Sequence, residues 1–124
     1  MNGTKRFDLE ERLVKFAVGV SDLVESLPGT MCGKYIAGQL IRSGLSPALN
    51  YGEARSAESV NDFIHKMKIA LKELRETFIS LKIIKLKNYE NARPSISICI
   101  NECNELISIF VKSIQTAEVN KNKS

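Results

Sequence analysis

From Val60 to Ile84 the residues suited to a dry surface fall three and four positions apart without a break: Val60, Phe63, Met67, Ala70, Leu74, Thr77, Leu81 and Ile84. That spacing keeps one face of an α-helix out of water, whereas a strand presents every second residue to the same face. Ile64, Leu71 and Phe78 widen the stripe, as a helix facing a core requires. The pattern predicts a helix over about 57–87. Leu9, Leu13, Phe16, Val20, Leu23, Val24 and Leu27 mark another over about 8–27, with Asp8 placed to cap it and Glu10 and Glu11 in its first turn. Ile96, Cys99, Ile100, Cys103, Leu106, Ile107, Phe110, Val111 and Ile114 predict a last helix over about 94–118, with 119–124 a frayed tail.

Between the first and third patterns, Leu27-Pro28-Gly29-Thr30 stops one helix and offers Thr30 as the cap of the next, over about 30–54. This second helix carries Gly33, Ala37, Gly38, Ser43, Gly44 and Ala48. Each glycine costs up to ~1 kcal/mol of helix propensity relative to alanine, which makes sense if another backbone comes close. Pro47 predicts a kink or a fresh turn. No strand-like alternation competes over a comparable length. In a chain of 124 residues, four amphipathic helices with short connections give one all-α domain, an antiparallel up-and-down four-helix bundle over 1–124.

The opening residues turn charged where a signal peptide needs an apolar run, and no apolar stretch reaches the ~20 residues of a membrane span, so a cytoplasmic location is expected. Cys32, Cys99 and Cys103 lack metal-ligand spacing and are expected to pack as small hydrophobes. His65, the single histidine, has no ligand cluster beside it. Neither a metal nor a cofactor is called for, and the absence of a paired acid and base points away from an enzyme.

The middle of the chain is polar where a core might be. Arg42, Ser46, Asn50 and Glu53 follow one another at steps of four, four and three, so they share a face if the helix survives Pro47, and Arg55 lies just beyond. They are expected to satisfy one another as a structural network that fixes the pairing of helices or subunits; a phosphate-binding or catalytic role is the alternative.

These residues carry a family resemblance. Gln39, Leu40, Arg42, Ser46, Asn50, Glu53, Arg55 and Ser56, with Phe63, Ala70, Glu73, Leu74, Glu76 and Thr77 downstream, resemble the bacterial four-helix-bundle family encoded by intervening sequences of 23S ribosomal RNA genes, the S23-like proteins. The similarity runs from about Leu9 to Ile114. Ile41 stands where the family has a first arginine, Ala54 where it has a closing glycine, and Gly52 where it has alanine. The resemblance implies subunits assembling into homopentameric rings, and it includes the accessory protein of diversity-generating retroelements, which works with nucleic acid and a reverse transcriptase. It does not imply a ribosome component.

The net charge is +4, from 18 basic and 14 acidic residues, and the segment 57–88 holds 7 basic against 4 acidic ones. On a helix, Lys68, Lys72, Arg75 and Lys82 fall in one narrow sector. Five copies of a +4 chain would carry +20, a surface suited to RNA or DNA read by shape and charge rather than by base. Ile98 and Ile109 lie outside the main stripe of the last helix and suggest subunit contact. The function expected is a non-enzymatic homo-oligomer that binds nucleic acid through this stripe, as an accessory to RNA processing or reverse transcription. The alternative is a protein–protein adaptor.

Overall fold

A computed structural model describes residues 8–123, and within them every regular element is helical. The helices are α1 (Leu9–Glu25), α2 (Met31–Arg55), α3 (Val60–Lys87) and α4 (Arg93–Lys123), with a 3₁₀ turn over Glu90–Ala92 leading into α4. Each start has a local cause. Thr30 accepts a hydrogen bond from the Gly33 N–H at 3.0 Å, and Ser59 accepts one from the Asp62 N–H at 3.0 Å. Ser59 therefore begins α3 at Val60 rather than at Ala57, because a hydroxyl at the cap satisfies a donor that has no partner within the helix. Asn88 ends α3 in the left-handed region at φ 57°, a conformation its short amide tolerates. Asp8 precedes α1, but its side chain makes no capping bond.

Three elements differ from the sequence pattern. Pro47 lies inside one continuous α2, its ring buried. It removes the donor for the Ser43 carbonyl, and packing on every side holds the helix together. α4 runs to Lys123 instead of fraying after 118, since nothing in Val119–Lys123 breaks a helix and Lys121 and Lys123 suit its negative end. The small residues of α2 also divide between two faces. Gly33 and Gly44 are buried, and a Cβ added at them would meet the Pro28 carbonyl and, at 2.6 Å, Val20 Cγ1. Gly38 and Gly52 are exposed, with nothing near.

The helices run alternately up and down. Gly44 faces Val20, Ser43 faces Thr77, and Cys103 donates to the Leu74 carbonyl at 3.3 Å, each pairing joining neighbours that run in opposite directions. α1 and α3 occupy opposite corners, with α2 and α4 between them. The core is made of Leu13, Phe16, Val20 and Leu23 from α1, Ile36 and Leu40 from α2, Met67, Leu74 and Leu81 from α3, and Cys103, Leu106 and Phe110 from α4. Those of α1, α3 and α4 are the residues of the three apolar stripes, so the periodicity alone defines the inward faces of these helices. Among the described residues no helix is long and apolar enough to cross a membrane.

Candidate nucleic-acid interface

The inward stripe of α3 fixes what its outward side presents. With Met67, Leu74 and Leu81 fully buried, Lys68, Lys72, Arg75 and Lys82 all lie on the exposed side of the same helix. Lys68 reaches Glu118 of α4 at 3.2 Å, and the Lys82 ammonium lies 5.3 Å from the centre of the Phe78 ring. Lys72, Arg75 and Lys82 form no ion pair with any described residue. From Lys68 to Lys82 is fourteen residues, about 21 Å along the axis. Between the charges, Leu71 and Ile79 floor a shallow hollow of about 440 Å³ that is also lined by Lys68, Lys72, Arg75 and Glu76. The sequence placed all four cations on one face, and the structure keeps them there. His65 is exposed on this helix too.

Arg12, Lys15, Arg42, Arg55 and Lys66 each hold a carboxylate, and here the sequence reading of the polar segment needs correction. Of the proposed network, only Ser46 and Asn50 meet, Asn50 Nδ2 donating to Ser46 Oγ at 2.9 Å. Arg42 instead donates to Glu73 at 3.0 Å and Glu76 at 3.3 Å on α3, and to Gln39 at 2.9 Å. Glu53 accepts from Lys66 of α3 at 2.8 Å, and Arg55 donates to Glu10 of α1 at 3.2 Å. Steps of four, four and three put Arg42, Ser46, Asn50 and Glu53 on one side of α2, but long side chains there reach carboxylates and amines on the flanking helix first. The Arg42 guanidinium is held above its ordinary pKa chiefly by its hydrogen bond to Glu76. These are exposed pairs, which add little to stability.

Two polar contacts escaped the sequence reading. Arg12 of α1 clamps Glu102 of α4 with two bonds, at 3.0 and 2.8 Å, and reaches Glu105 at 2.9 Å. The hydrogen bond that Arg12 donates to Glu102 is the largest cause that raises the Arg12 pKa. Ser43 and Thr77, both buried, join α2 to α3 with their hydroxyl oxygens 2.8 Å apart. Thr77 donates to the Glu73 carbonyl at 2.9 Å, which leaves Ser43 as donor to Thr77. Thr77 stood in the apolar stripe and Ser43 among the small residues, so the signal was present as two polar residues in dry positions.

The cysteines divide. Cys99 and Cys103 are buried, and burial pushes the Cys103 thiol up to about 12 and Cys99 in the same direction. Cys32 is exposed in the first turn of α2, so it does not pack as expected. Ile98 is 70% exposed, while Ile109 is half-buried against the bundle. Among the described residues no three His, Cys, Asp or Glu side chains converge on one point.

The family model of the 23S rRNA-intervening sequence protein matches residues 5–112. The chain belongs to that family. A crystal structure of a protein of unknown function from the S23 ribosomal protein family of Bacteroides thetaiotaomicron VPI-5482 is similar at 30% identity, with a TM-score of 0.76 over 85% of this chain and 96% of that one. No curated protein matches the chain. The match spans all of α1, α2 and α3 and most of α4, so family membership and the four-helix architecture rest on the same residues.

Proposed function

We propose that this member of the 23S rRNA-intervening sequence family is a non-enzymatic, self-associating bundle that binds nucleic acid through the outward face of α3. The observation that carries the reading is the alignment of exposed, unpaired cations along one face of α3. Arg12, Arg42, Arg55 and Lys66, on the other faces, each hold a carboxylate, whereas Lys72, Arg75 and Lys82 form no ion pair with any described residue. A row of free cations on a rigid helix suits a phosphate backbone, and no recognition element beside it suggests base reading. A five-membered ring and a role accessory to RNA processing or reverse transcription follow from the family resemblance, and any α3 faces the ring leaves open would add avidity.

Retention of short RNA and DNA at low salt is the test. Wild type should bind with a steep salt dependence, and the double substitution Lys72→Glu with Arg75→Glu should abolish retention while leaving the helix content unchanged. Undiminished retention by that variant would sink the proposal. The Leu71 and Ile79 floor favours one second reading, an adaptor whose protein partner lays an apolar helix on α3.

A further inference from the structure

Phosphates account for the cations of α3 but not for the apolar corner at which their row ends. Tyr35 of α2 is 68% exposed and is the one exposed aromatic ring among the described residues. It makes no hydrogen bond and no ring or cation–π contact with any of them. Its place follows from the bond of Arg42 to Glu76. Seven residues, about two turns, separate Tyr35 from Arg42 on α2 and Ile83 from Glu76 on α3. In the antiparallel pair, Tyr35 and Ile83 therefore face each other across the same groove, nearer the end of the bundle. Met31 and Leu86, within a turn of them, are 89% and 88% exposed. Gly38, three residues on from Tyr35, has nothing within 4 Å of where a Cβ would stand, so no side chain covers that flank of the ring.

The corner is also free of acid. Neither Met31–Gly52 of α2 nor Thr77–Lys87 of α3 contains an aspartate or a glutamate. Lys34 adjoins Tyr35, and Lys82 and Lys87 stand on either side of Ile83, none in an ion pair with any described residue. Lys87 is held at the border, its ammonium 5.9 Å from the centre of the Tyr89 ring. Lys82 is the last of the four aligned cations, so a phosphate chain that lies along α3 arrives at Tyr35. An unpaired base stacks on an aromatic ring, and apolar side chains beside the ring shelter it; every base has such a face, so the contact is blind to sequence. In a duplex those faces are already covered by neighbouring bases. Resting on the nucleic-acid reading above, we infer that Tyr35 is a stacking platform for an unpaired base of the strand whose phosphates α3 holds, which makes the ligand single-stranded nucleic acid.

The test uses one labelled oligonucleotide, single-stranded and as its blunt duplex, with affinity read by fluorescence anisotropy at several salt concentrations. Wild type should bind the single strand more tightly. Tyr35→Ala should weaken single-strand binding at least about fivefold, the size of one lost stack, and leave duplex binding and the salt slope as they are, since no phosphate contact is removed. Tyr35→Phe keeps the ring and should bind like wild type. The chain has no tryptophan, so Tyr35→Trp supplies a single reporter whose emission the single strand should quench and the duplex should not. Because Tyr35 is exposed and unpartnered, all three variants should keep the helix content and molar mass of wild type. Three results would each overturn the inference: undiminished single-strand binding by Tyr35→Ala, an equal loss on the duplex, or a lower molar mass by light scattering, which would make this corner a contact between copies. The variant with Lys72→Glu and Arg75→Glu keeps the two proposals apart. If it loses the single strand while Tyr35→Ala retains it, the function stands and the stacking site falls. If it retains the strand while Tyr35→Ala loses it, the stacking site stands and the assignment of phosphate binding to α3 falls.

Discussion

Gly38 and Gly44 are six residues apart on α2, on different faces, and should respond oppositely to the same substitution. At Gly44 an added Cβ would lie 2.6 Å from Val20 Cγ1 and 3.1 to 3.2 Å from Val20 Cβ and Cγ2. Val20 is fully buried, and its branched Cβ leaves it one favoured rotamer in a helix, so it cannot swing aside. Gly44→Ala therefore sets a helix-propensity gain of about 1 kcal/mol against an overpacking penalty of ~1–3 kcal/mol. The expected net is a loss of about 1 kcal/mol, or roughly 4 °C in the melting midpoint of a chain this size. At Gly38 and Gly52 a Cβ meets nothing, so alanine should add stability of up to ~1 kcal/mol.

Urea and thermal unfolding of the three single variants give the comparison directly. A double-mutant cycle with Val20→Ala gives the cause. Truncating Val20 alone should be costly through its cavity, yet in the Gly44→Ala background the new methyl occupies part of the vacated space. The two changes should then couple favourably by ~1–3 kcal/mol. If Gly44→Ala is as stable as Gly38→Ala, or the cycle shows no coupling, close passage of α1 over α2 is not what Gly44 provides.

Three further outcomes are expected. Thr77→Val should lower stability by ~1–3 kcal/mol, because it leaves the buried Ser43 hydroxyl unpaired, whereas Thr77→Val with Ser43→Ala should be milder; equal losses would show that the pair is not a hydrogen-bonded unit. With the Cys103 pKa raised from 9.0 to about 12 by burial, its contribution is complete below pH 9 and is lost as pH rises towards 12, at up to ~1.4 kcal/mol per pH unit; Cys103→Ala should flatten that limb relative to wild type in alkaline urea titrations. Arg42→Ala should leave the melting midpoint within scan-to-scan error, since its bonds to Glu73 and Glu76 are exposed, and a clear fall would mean the pairs are sheltered in an assembly.

The fold was legible because burial repeats with the helical period. Leu13, Phe16, Val20 and Leu23, or Met67, Ala70, Leu74 and Leu81, are inside for the reason their spacing states. Periodicity within one helix says nothing about which side chain of a neighbour lies opposite, and the site reading failed there. Arg42 and Glu53 looked like partners because they share a side of α2, and Arg55 because it lies just beyond them. Each found its ion on another helix, since a long side chain at a helix edge reaches across the groove more easily than along its own axis. Ser43 and Thr77 went unnoticed for the converse reason: two residues 34 apart reveal their bond only once α2 and α3 are laid side by side.

The net charge of +4 misleads in the same way, by averaging over faces that never meet within one molecule. Spread evenly, so small an excess would give weak attraction to any polyanion. The fold does not spread it. Core packing turns Leu13 and Val20 of α1 inward, which leaves Glu11, Asp22 and Glu25 outward; the same constraint on Met67, Leu74 and Leu81 leaves Lys68, Lys72, Arg75 and Lys82 outward on the opposite corner. The bundle is therefore electrically two-sided, with a basic side along α3 and an acidic side along α1. That polarity follows from the apolar stripes, so a mutation that rotates α3 about its axis should weaken nucleic-acid retention even if it changes no charge.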